Sequence, residues 1–224
     1  MVNPWMQTYS GVPFDLLEPQ EWAVRLRDIS HSLSLTNRFN GHTRRPWSVA
    51  EHSLFCLELM GDDYGARMRL LVLIHDFIES YVSDLSTPMK RTLDAVSTSA
   101  LDAFNRIESR INTAIHAKLL LEPPTYEEKR VIKHFDLLAL RLEAEVLMGP
   151  PPLPWIEMPE PDERQQRIAK RVFGWRHRLR SPKRTAAQLE RKVHELGRAA
   201  HEEIVNGMVD VLDRHQEDEV RVAA

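Results

Sequence analysis

The stretch Leu70–Pro88 constrains the fold more than any other part of this 224-residue chain. A run of large apolar residues, Leu70–Ile74, leads directly into His75-Asp76, and Glu79 follows one helical turn later. The spacing of the apolar residues predicts a helix that is buried over most of its surface. Ionisable side chains in such a helix are costly to desolvate unless an ion partner or a metal ion compensates them. A buried His–Asp ion pair is the simpler of these two interpretations.

The composition argues against several classes of protein. The net charge of −3, with acids and bases both abundant, gives no global basic field for nucleic acid. The single cysteine, Cys56, leaves no intramolecular disulfide and fits a reducing cytoplasm. The first residues lack the pattern of a signal peptide, and no apolar run approaches the ~20 residues of a membrane span. We therefore expect a cytoplasmic protein that binds neither nucleic acid nor a membrane.

Helical periodicity covers most of the chain, and residues 1–20 predict a small β-hairpin around a Ser-Gly turn. The expected fold is therefore all-α, a helical bundle with this hairpin and extra C-terminal helices. In the first helix, Trp22 is expected to share the apolar stripe with Ile29. The predicted helices are Glu21–Leu35, a helix that begins with a capping box of Ser48 and Glu51, the central helix, Thr92–Leu121, Tyr126–Met148, Asp162–Arg178 and Thr185–His215.

Three regions follow from this organisation. Residues 1–148 are predicted to form the core domain. A Pro-rich loop, residues 149–161, has six prolines among thirteen residues and marks the sharpest shift in composition. Residues 162–224 are predicted to be a helical extension that packs on the core or on a partner. The apolar stripe of the last helix, which includes Met208 and Leu212, fits a homodimer surface or a flap over the core.

Two further buried ionisable groups come from other helices. His52 lies on the apolar stripe of the second helix, and alone it is more simply interpreted as a core histidine. Asp136 lies among leucine and phenylalanine residues, so it must be paired, protonated or bound to a metal ion. Together with His75 and Asp76, these residues place four ionisable groups on buried faces of three helices. This combination favours a metal site.

The loop of residues 37–46, NRFNGHTRRP, is rich in basic residues. A guanidinium group can donate two parallel hydrogen bonds to the oxygens of one phosphate, so the loop could bind an anion. A solvated basic loop explains the composition more simply. The basic residues are Arg38, His42, Arg44 and Arg45.

The combination of His52, His75-Asp76 and Asp136 resembles the H…HD…D ligand set of the HD superfamily of metal-dependent phosphohydrolases. Locally, SVAEHSL, HDFIESYVSDLSTPMK and VIKHFDLL are similar to YfbR/YfdR-type 5′-deoxynucleotidases. The loop NRFNGHT is most similar to a phage-associated branch that resembles viral deoxynucleotide triphosphohydrolases. The chain lacks the GYP signature of cyclic-dinucleotide phosphodiesterases and the Glu-Asp pair usual in alarmone hydrolases. The similar motifs extend from Thr8 to about Leu142.

The resemblance implies an HD-type bundle that binds one divalent metal ion, with Mn, Co, Zn, Fe and Mg as candidates. It implies that Glu79 and Asp84 are catalytic and that Arg38 contacts the substrate phosphate. As a loop residue, Arg38 is not expected to support the core. Weaker candidates for phosphate contact are His42, Thr43 and Lys90. The implied metal ligands are His52, His75, Asp76 and Asp136.

The implied activity is that of a 5′-deoxynucleotidase, which releases phosphate from a small-molecule substrate, a deoxynucleoside monophosphate. One alternative is a deoxynucleoside triphosphate triphosphohydrolase. Another is a non-catalytic HD module that senses nucleotide or metal and uses the C-terminal helices as a partner surface. The presence of Glu79 and Asp84 favours an enzyme, because a sensor module would be free to lose them.

Overall fold

The computed structural model describes the backbone of residues 4–174 and 181–222 and the side chains of residues 4–174 and 181–205. Two short strands, β1 (Trp5–Gln7) and β2 (Pro13–Asp15), pair antiparallel. The other regular elements are helices, which confirms the predicted all-α class with an N-terminal hairpin. The helices are α1 (Leu26–Leu35), α2 (Val49–Met60), α3 (Ala66–Ile74), α4 (Glu79–Val82), α5 (Thr87–Val96), α6 (Thr98–Lys118), α7 (Tyr126–Leu147), α8 (Glu163–Phe173) and α9 (Pro182–Val222).

The hairpin is fixed to α1 by polar and aromatic contacts. Buried Asp28 accepts hydrogen bonds from both the backbone nitrogen and the hydroxyl of Ser10, each at 2.8 Å. The ring of Tyr9 stacks on His31 with 3.6 Å between centroids. His31 is therefore a partly buried residue at the boundary of the core.

Helix α2 is buried over most of its surface because two apolar clusters pack against it. Its Leu54 and Leu57 belong to a cluster shared with α1, α3, α6 and α9. Its Phe55 and Leu59 belong to a second cluster shared with α7 and α8. The helix begins with the predicted capping box at Ser48. This placement buries His52 completely, so its polar ring needs a partner inside the protein.

Helix α9 is part of the main core. Its Leu189 and Val193 are buried in the same cluster as Leu70 of α3. Farther along the predicted stripe, Ile204 is 41% exposed, and Met208 and Leu212 lie outside the residues whose side chains are described. Neither α9 nor any other helix in the described part of the chain is long and apolar enough to cross a membrane.

The prediction of one continuous central helix was wrong. Helix α3 ends at Ile74, residues 75–78 form a tight turn, and α4 begins at Glu79. Through this turn the backbone hydrogen bonds span three residues, as from Phe77 to Ile74 at 3.0 Å and from Glu79 to Asp76 at 3.0 Å. The tighter winding changes the direction of successive side chains, so the ionisable groups do not follow the periodicity of an α-helix.

The predicted helix over Thr92–Leu121 is divided. Ser97 is extended (φ −163°, ψ 105°) and separates α5 from α6, leaving Val96 80% exposed. Serine favours such boundary positions because its hydroxyl competes with the helical backbone for hydrogen bonds. Trp22 also differs from the prediction: it lies in a short 3₁₀ turn before α1 and is 62% exposed.

Gly61 ends α2, and Gly61→Ala is expected to lower the free energy of unfolding by about 1–3 kcal/mol. Its φ of 78° and ψ of −153° suit only glycine. An added Cβ would lie 2.1 Å from Arg164 Nη2 and displace the guanidinium that donates to the carbonyl of Leu59 at 2.9 Å. Urea unfolding measures the change.

Gly197→Ala is the matched control for this stability prediction. Gly197 lies inside α9, and an added Cβ would meet nothing within 4 Å. The same substitution should therefore raise the free energy of unfolding by about 0.5–1 kcal/mol. Equal changes in the two variants would contradict the role given to Gly61.

Candidate metal centre

Four side-chain donor atoms from α2, the turn after α3, and α7 meet at one point. His52 Nε2 lies 3.4 Å from His75 Nε2, 3.4 Å from Asp136 Oδ1 and 3.6 Å from Asp76 Oδ2. His75 Nε2 lies 3.2 Å from Asp76 Oδ2 and 4.0 Å from Asp136 Oδ1. Ligands of one metal ion, with bonds of roughly 2.0–2.2 Å, are separated by similar distances. The structure therefore brings together all four residues that the resemblance implied as ligands.

Both imidazole rings are oriented by a hydrogen bond at the nitrogen that faces away from the centre. His52 Nδ1 is 2.7 Å from Glu143 Oε1. His75 Nδ1 is 2.8 Å from the carbonyl oxygen of Val72. When each Nδ1 donates, each Nε2 presents a lone pair to the centre. This outer arrangement is the one that metal-binding histidines usually have.

Cys56 is a further neighbour of the centre, one helical turn after His52. Its Sγ lies 3.4 Å from His52 Nε2, and the group His52, Cys56 and His75 could hold a metal ion. Burial raises the pKa of the Cys56 thiol and keeps it protonated. Burial also opposes ionisation of Asp76, but the facing His75 outweighs it and lowers the Asp76 pKa to about 2. The Asp76 carboxylate is therefore already ionised and can bind a cation directly, whereas the Cys56 thiol would first have to lose its proton.

Arg38 is a buried part of the centre. Its Nε donates to Glu143 Oε2 at 3.1 Å and its Nη1 donates to Asp76 Oδ2 at 3.4 Å. Burial opposes the charge of Arg38, but Glu143 and Asp76 more than offset it, so its pKa is raised. The expectation that this arginine supports no core was therefore wrong, because its side chain is only 10% exposed.

Backbone pairing fixes the position of Arg38. Its N–H donates to the carbonyl of Trp47 at 2.9 Å, closing the loop at its base. Phe39 and Asn40 then adopt left-handed conformations with φ of 56° and 50°. Non-glycine residues rarely adopt this conformation, so the turn persists because its surroundings hold it. The result places a loop residue inside the protein next to the candidate metal ligands.

The other two loop arginines have different neighbours. The guanidinium of Arg45 lies over the rings of Trp47 and Phe173, at 5.5 and 5.6 Å from their centroids. The backbone N–H of Arg44 donates to the carbonyl of Leu147 at 2.8 Å, and Arg44 itself is exposed. Within the described residues, Arg38 is the loop arginine that pairs with acids of the centre.

The weaker candidates for phosphate contact have separate environments. His42 is exposed, and the Thr43 hydroxyl donates to the carbonyl of Arg45 at 2.8 Å. Lys90 pairs with Glu108 at 2.9 Å, and its charge partly opposes the burial that raises the pKa of Asp84. The structure thus gives Lys90 an electrostatic link to the centre.

Comparison with known proteins places the chain among bacterial relatives. No family model matches it. It is 34% identical over 158 residues to the uncharacterized protein RCAP_rcc00048 of Rhodobacter capsulatus, covering 66% of this chain and 76% of the relative. It is 30% identical over 139 residues to the uncharacterized protein YfdR of Escherichia coli, covering 62% of this chain and 70% of YfdR. The chain belongs to the YfdR family.

In this YfdR-family chain, Glu79 lies beside the centre with a buried oxygen, Oε2, that has no hydrogen-bond partner among the described residues. Burial raises the pKa of Glu79 to about 10, and the charges of Asp76 and Asp84 add to this effect. Burial also raises the pKa of Asp84, which Arg38 partly opposes. The centre therefore holds a protonated acid at neutral pH, next to ionised Asp76.

Glu143 is a residue of the site that the sequence interpretation missed. It is 0% exposed, and its two oxygens contact His52 and Arg38. It lies in α7 seven residues after Asp136, hence on the same helical face. An acid at this spacing between Leu142 and Ala144 was the available signal. The YfdR-family site thus includes a carboxylate that joins a proposed metal ligand to the buried arginine.

Proposed function

We propose that this YfdR-family protein is a metal-dependent phosphohydrolase of the HD type that acts on deoxynucleotides. The observation that carries the proposal is the convergence of His52, His75, Asp76 and Asp136 on one point, with Arg38 beside them. The preferred reaction is that of a 5′-deoxynucleotidase, in which water adds to phosphorus and the bond to the 5′ oxygen breaks. The resemblance of the motifs to such enzymes supports this choice of substrate.

The four converging residues would hold one divalent cation. Two imidazole nitrogens and two carboxylates suit Zn, Mn, Fe or Co, and Mg is the least favoured because it prefers oxygen ligands. The acids that act on the single cation Arg38, among them Glu143, Asp76 and Asp136, outnumber it, which fits a site that requires added positive charge. When bound, such a cation supplies positive charge to phosphoryl oxygens and acidifies water.

The protein side chains have separable roles in this proposal. Arg38, positioned by Glu143, would neutralise charge that develops on the phosphate. Glu79, whose pKa burial raises, would carry the proton that the departing 5′ oxygen receives. Asp84 would orient the attacking water and accept its proton. The burial of Glu79 and Arg38 would exclude bulk water and strengthen each of these charge interactions.

A phosphate-release assay across deoxynucleoside mono- and triphosphates, with Mn, Co or Mg, tests the proposed function. Release of phosphate from monophosphates is the expected result. Release of triphosphate from deoxynucleoside triphosphates would instead support the triphosphohydrolase alternative. Binding of nucleotide without turnover in any metal would support a sensor module and contradict the proposed enzyme.

Arg38→Ala is expected to lower kcat/KM by at least about tenfold, because charge-assisted hydrogen bonds contribute roughly 1.5–3 kcal/mol. The variant should also be less stable, since Glu143 would remain buried without its cation. Arg38→Lys should restore part of the loss because an ammonium cannot reproduce the guanidinium fork. Steady-state kinetics and urea unfolding measure both effects.

Arg44→Ala is the control for Arg38→Ala, because Arg44 belongs to the same loop and is exposed. It should leave kcat/KM and stability near the wild-type values. A large loss in Arg44→Ala together with unchanged catalysis in Arg38→Ala would place the phosphate at the other end of the loop.

A further inference from the structure

A groove of about 920 Å³ lies between α2, α8 and α9. Its wall on α2 includes Leu54, Leu57 and Glu58. With 100° between successive helical residues, these side chains lie on the face of α2 opposite to His52. The groove is therefore separate from the candidate metal centre, and α2 is the wall between the two.

The groove is rich in positively charged side chains. Residues 162–174 and 181–198, which form two of its walls, carry nine lysines and arginines against four acids, although the whole chain has a net charge of −3. The acids that line the groove are Glu58 and Asp62. The cations that line it are Arg69, Arg164, Arg167, Arg171 and Lys192.

The ion pairs of these cations are of a kind that a ligand can replace. Arg69 pairs with Asp62, whose side chain is 88% exposed, and Arg167 pairs with Glu163, whose side chain is 93% exposed. Such exposed pairs contribute little to stability because water screens them. Arg69 Nε is also buried without a hydrogen-bond partner among the described residues. Arg171 pairs with Glu58, and Lys192 pairs with Glu195 at 2.9 Å, where the Glu195 side chain is 52% exposed. A ligand with a higher density of negative charge than a single carboxylate would replace these acids as the partner of the cations.

The floor of the groove is apolar. Leu54, Leu57 and Val172 are buried there at 7–8% exposure, and Ile168 lies beside them. An apolar floor with a guanidinium rim matches a ligand that has a flat organic part and a chain of phosphates. The volume of about 920 Å³ is within the roughly 300–1,000 Å³ of small-molecule sites.

We propose that this groove is a second ligand site, separate from the metal centre, which binds a polyphosphate chain through Arg69, Arg167, Arg171 and Lys192. The chain can be inorganic polyphosphate or the phosphates of a nucleoside triphosphate, whose base would rest on the apolar floor. Binding requires no metal ion and does not depend on the proposed hydrolase activity. Arg164 has a structural role instead, because it donates to the carbonyls of Leu59 and Glu58 at 2.9 and 3.2 Å.

Calorimetric titration of the full chain in chelator, with inorganic tripolyphosphate and with deoxyadenosine triphosphate, tests the site. The double variant Arg167→Ala/Arg171→Ala should bind both probes at least about tenfold more weakly than wild type. Arg130→Ala is the matched control, since Arg130 is 67% exposed and pairs with Glu127 on α7, away from the groove. Asp76→Ala should bind as wild type does, because the groove does not include the metal centre.

If the nucleotide binds more tightly than tripolyphosphate, its base contacts the apolar floor. If the two probes bind equally, the site recognises the phosphate chain alone. The proposal is overturned if wild type binds neither probe at about 1 mM. It is also overturned if the double variant binds as tightly as Arg130→Ala, or if Asp76→Ala abolishes binding. None of these results depends on whether the metal centre hydrolyses nucleotides.

Discussion

Asp76→Ala is expected to lose both bound metal and phosphate release. Asp76 faces His75 at 3.2 Å and His52 at 3.6 Å, and its pKa of about 2 keeps it ionised over the whole working range. Loss of an outer partner of a metal ligand already costs about 10–100-fold in metal affinity. Loss of a direct carboxylate ligand should therefore exceed about 100-fold, and turnover should fall at least as far.

Elemental analysis beside kinetics measures these two losses. Asp94→Ala is the control, because Asp94 is an exposed acid on α5. Its metal content and rate should match those of wild type. The far-ultraviolet circular dichroism of Asp76→Ala should remain helical, since Arg38 keeps Glu143 as a partner at 3.1 Å. Equal metal content in Asp76→Ala and wild type would show that the metal ligands were assigned incorrectly.

Glu79→Gln is expected to retain the metal and to lose turnover by about 10²–10⁴-fold, the range that a general acid contributes. Glutamine has the shape of the protonated acid but cannot give up a proton to the leaving oxygen. Glu145→Gln is the control, as an exposed acid on α7. A wild-type rate in Glu79→Gln would make Glu79 a structural residue.

The same variant should change how the stability of the metal-free protein depends on pH. Burial raises the Glu79 pKa from its ordinary 4.5 to about 10 in the folded state. Between these two values the folded state holds a proton that the unfolded state has lost, so this group lowers stability as the pH rises. Glutamine does not titrate. Glu79→Gln should therefore gain stability relative to wild type between about pH 5 and pH 9 in urea unfolding.

The same comparison tests the protonated state of Glu79 independently of catalysis. A constant difference between the two proteins across that pH range would mean that Glu79 is ionised in the folded chain. The general-acid role would then have to be given up, even if Glu79→Gln were inactive.

Local sequence was sufficient for much of the fold. The hairpin, the capping box at Ser48 and the helix Tyr126–Leu147 depend on turn residues, caps and apolar periodicity, which are properties of neighbouring residues. The four side chains that meet at the centre were also predicted, because ionisable groups on apolar helical faces are conspicuous and resemble a known pattern. In the structure, neighbouring donor atoms of these four side chains lie 3.2–4.0 Å apart.

Tertiary packing decided the features that no local pattern carries. Glu143 is one acid in a helix rich in charge, and only its contacts with His52 and Arg38, 91 and 105 residues away, make it part of the site. Arg38 lies in a loop, and its burial could not be predicted locally. Burial of a guanidinium depends on acids that other helices supply. The turn at His75 and the groove between α2, α8 and α9 likewise depend on how the helices pack. Sequence thus identified four of the side chains that meet at the candidate metal centre, and through-space desolvation and charge pairing decided how they are held.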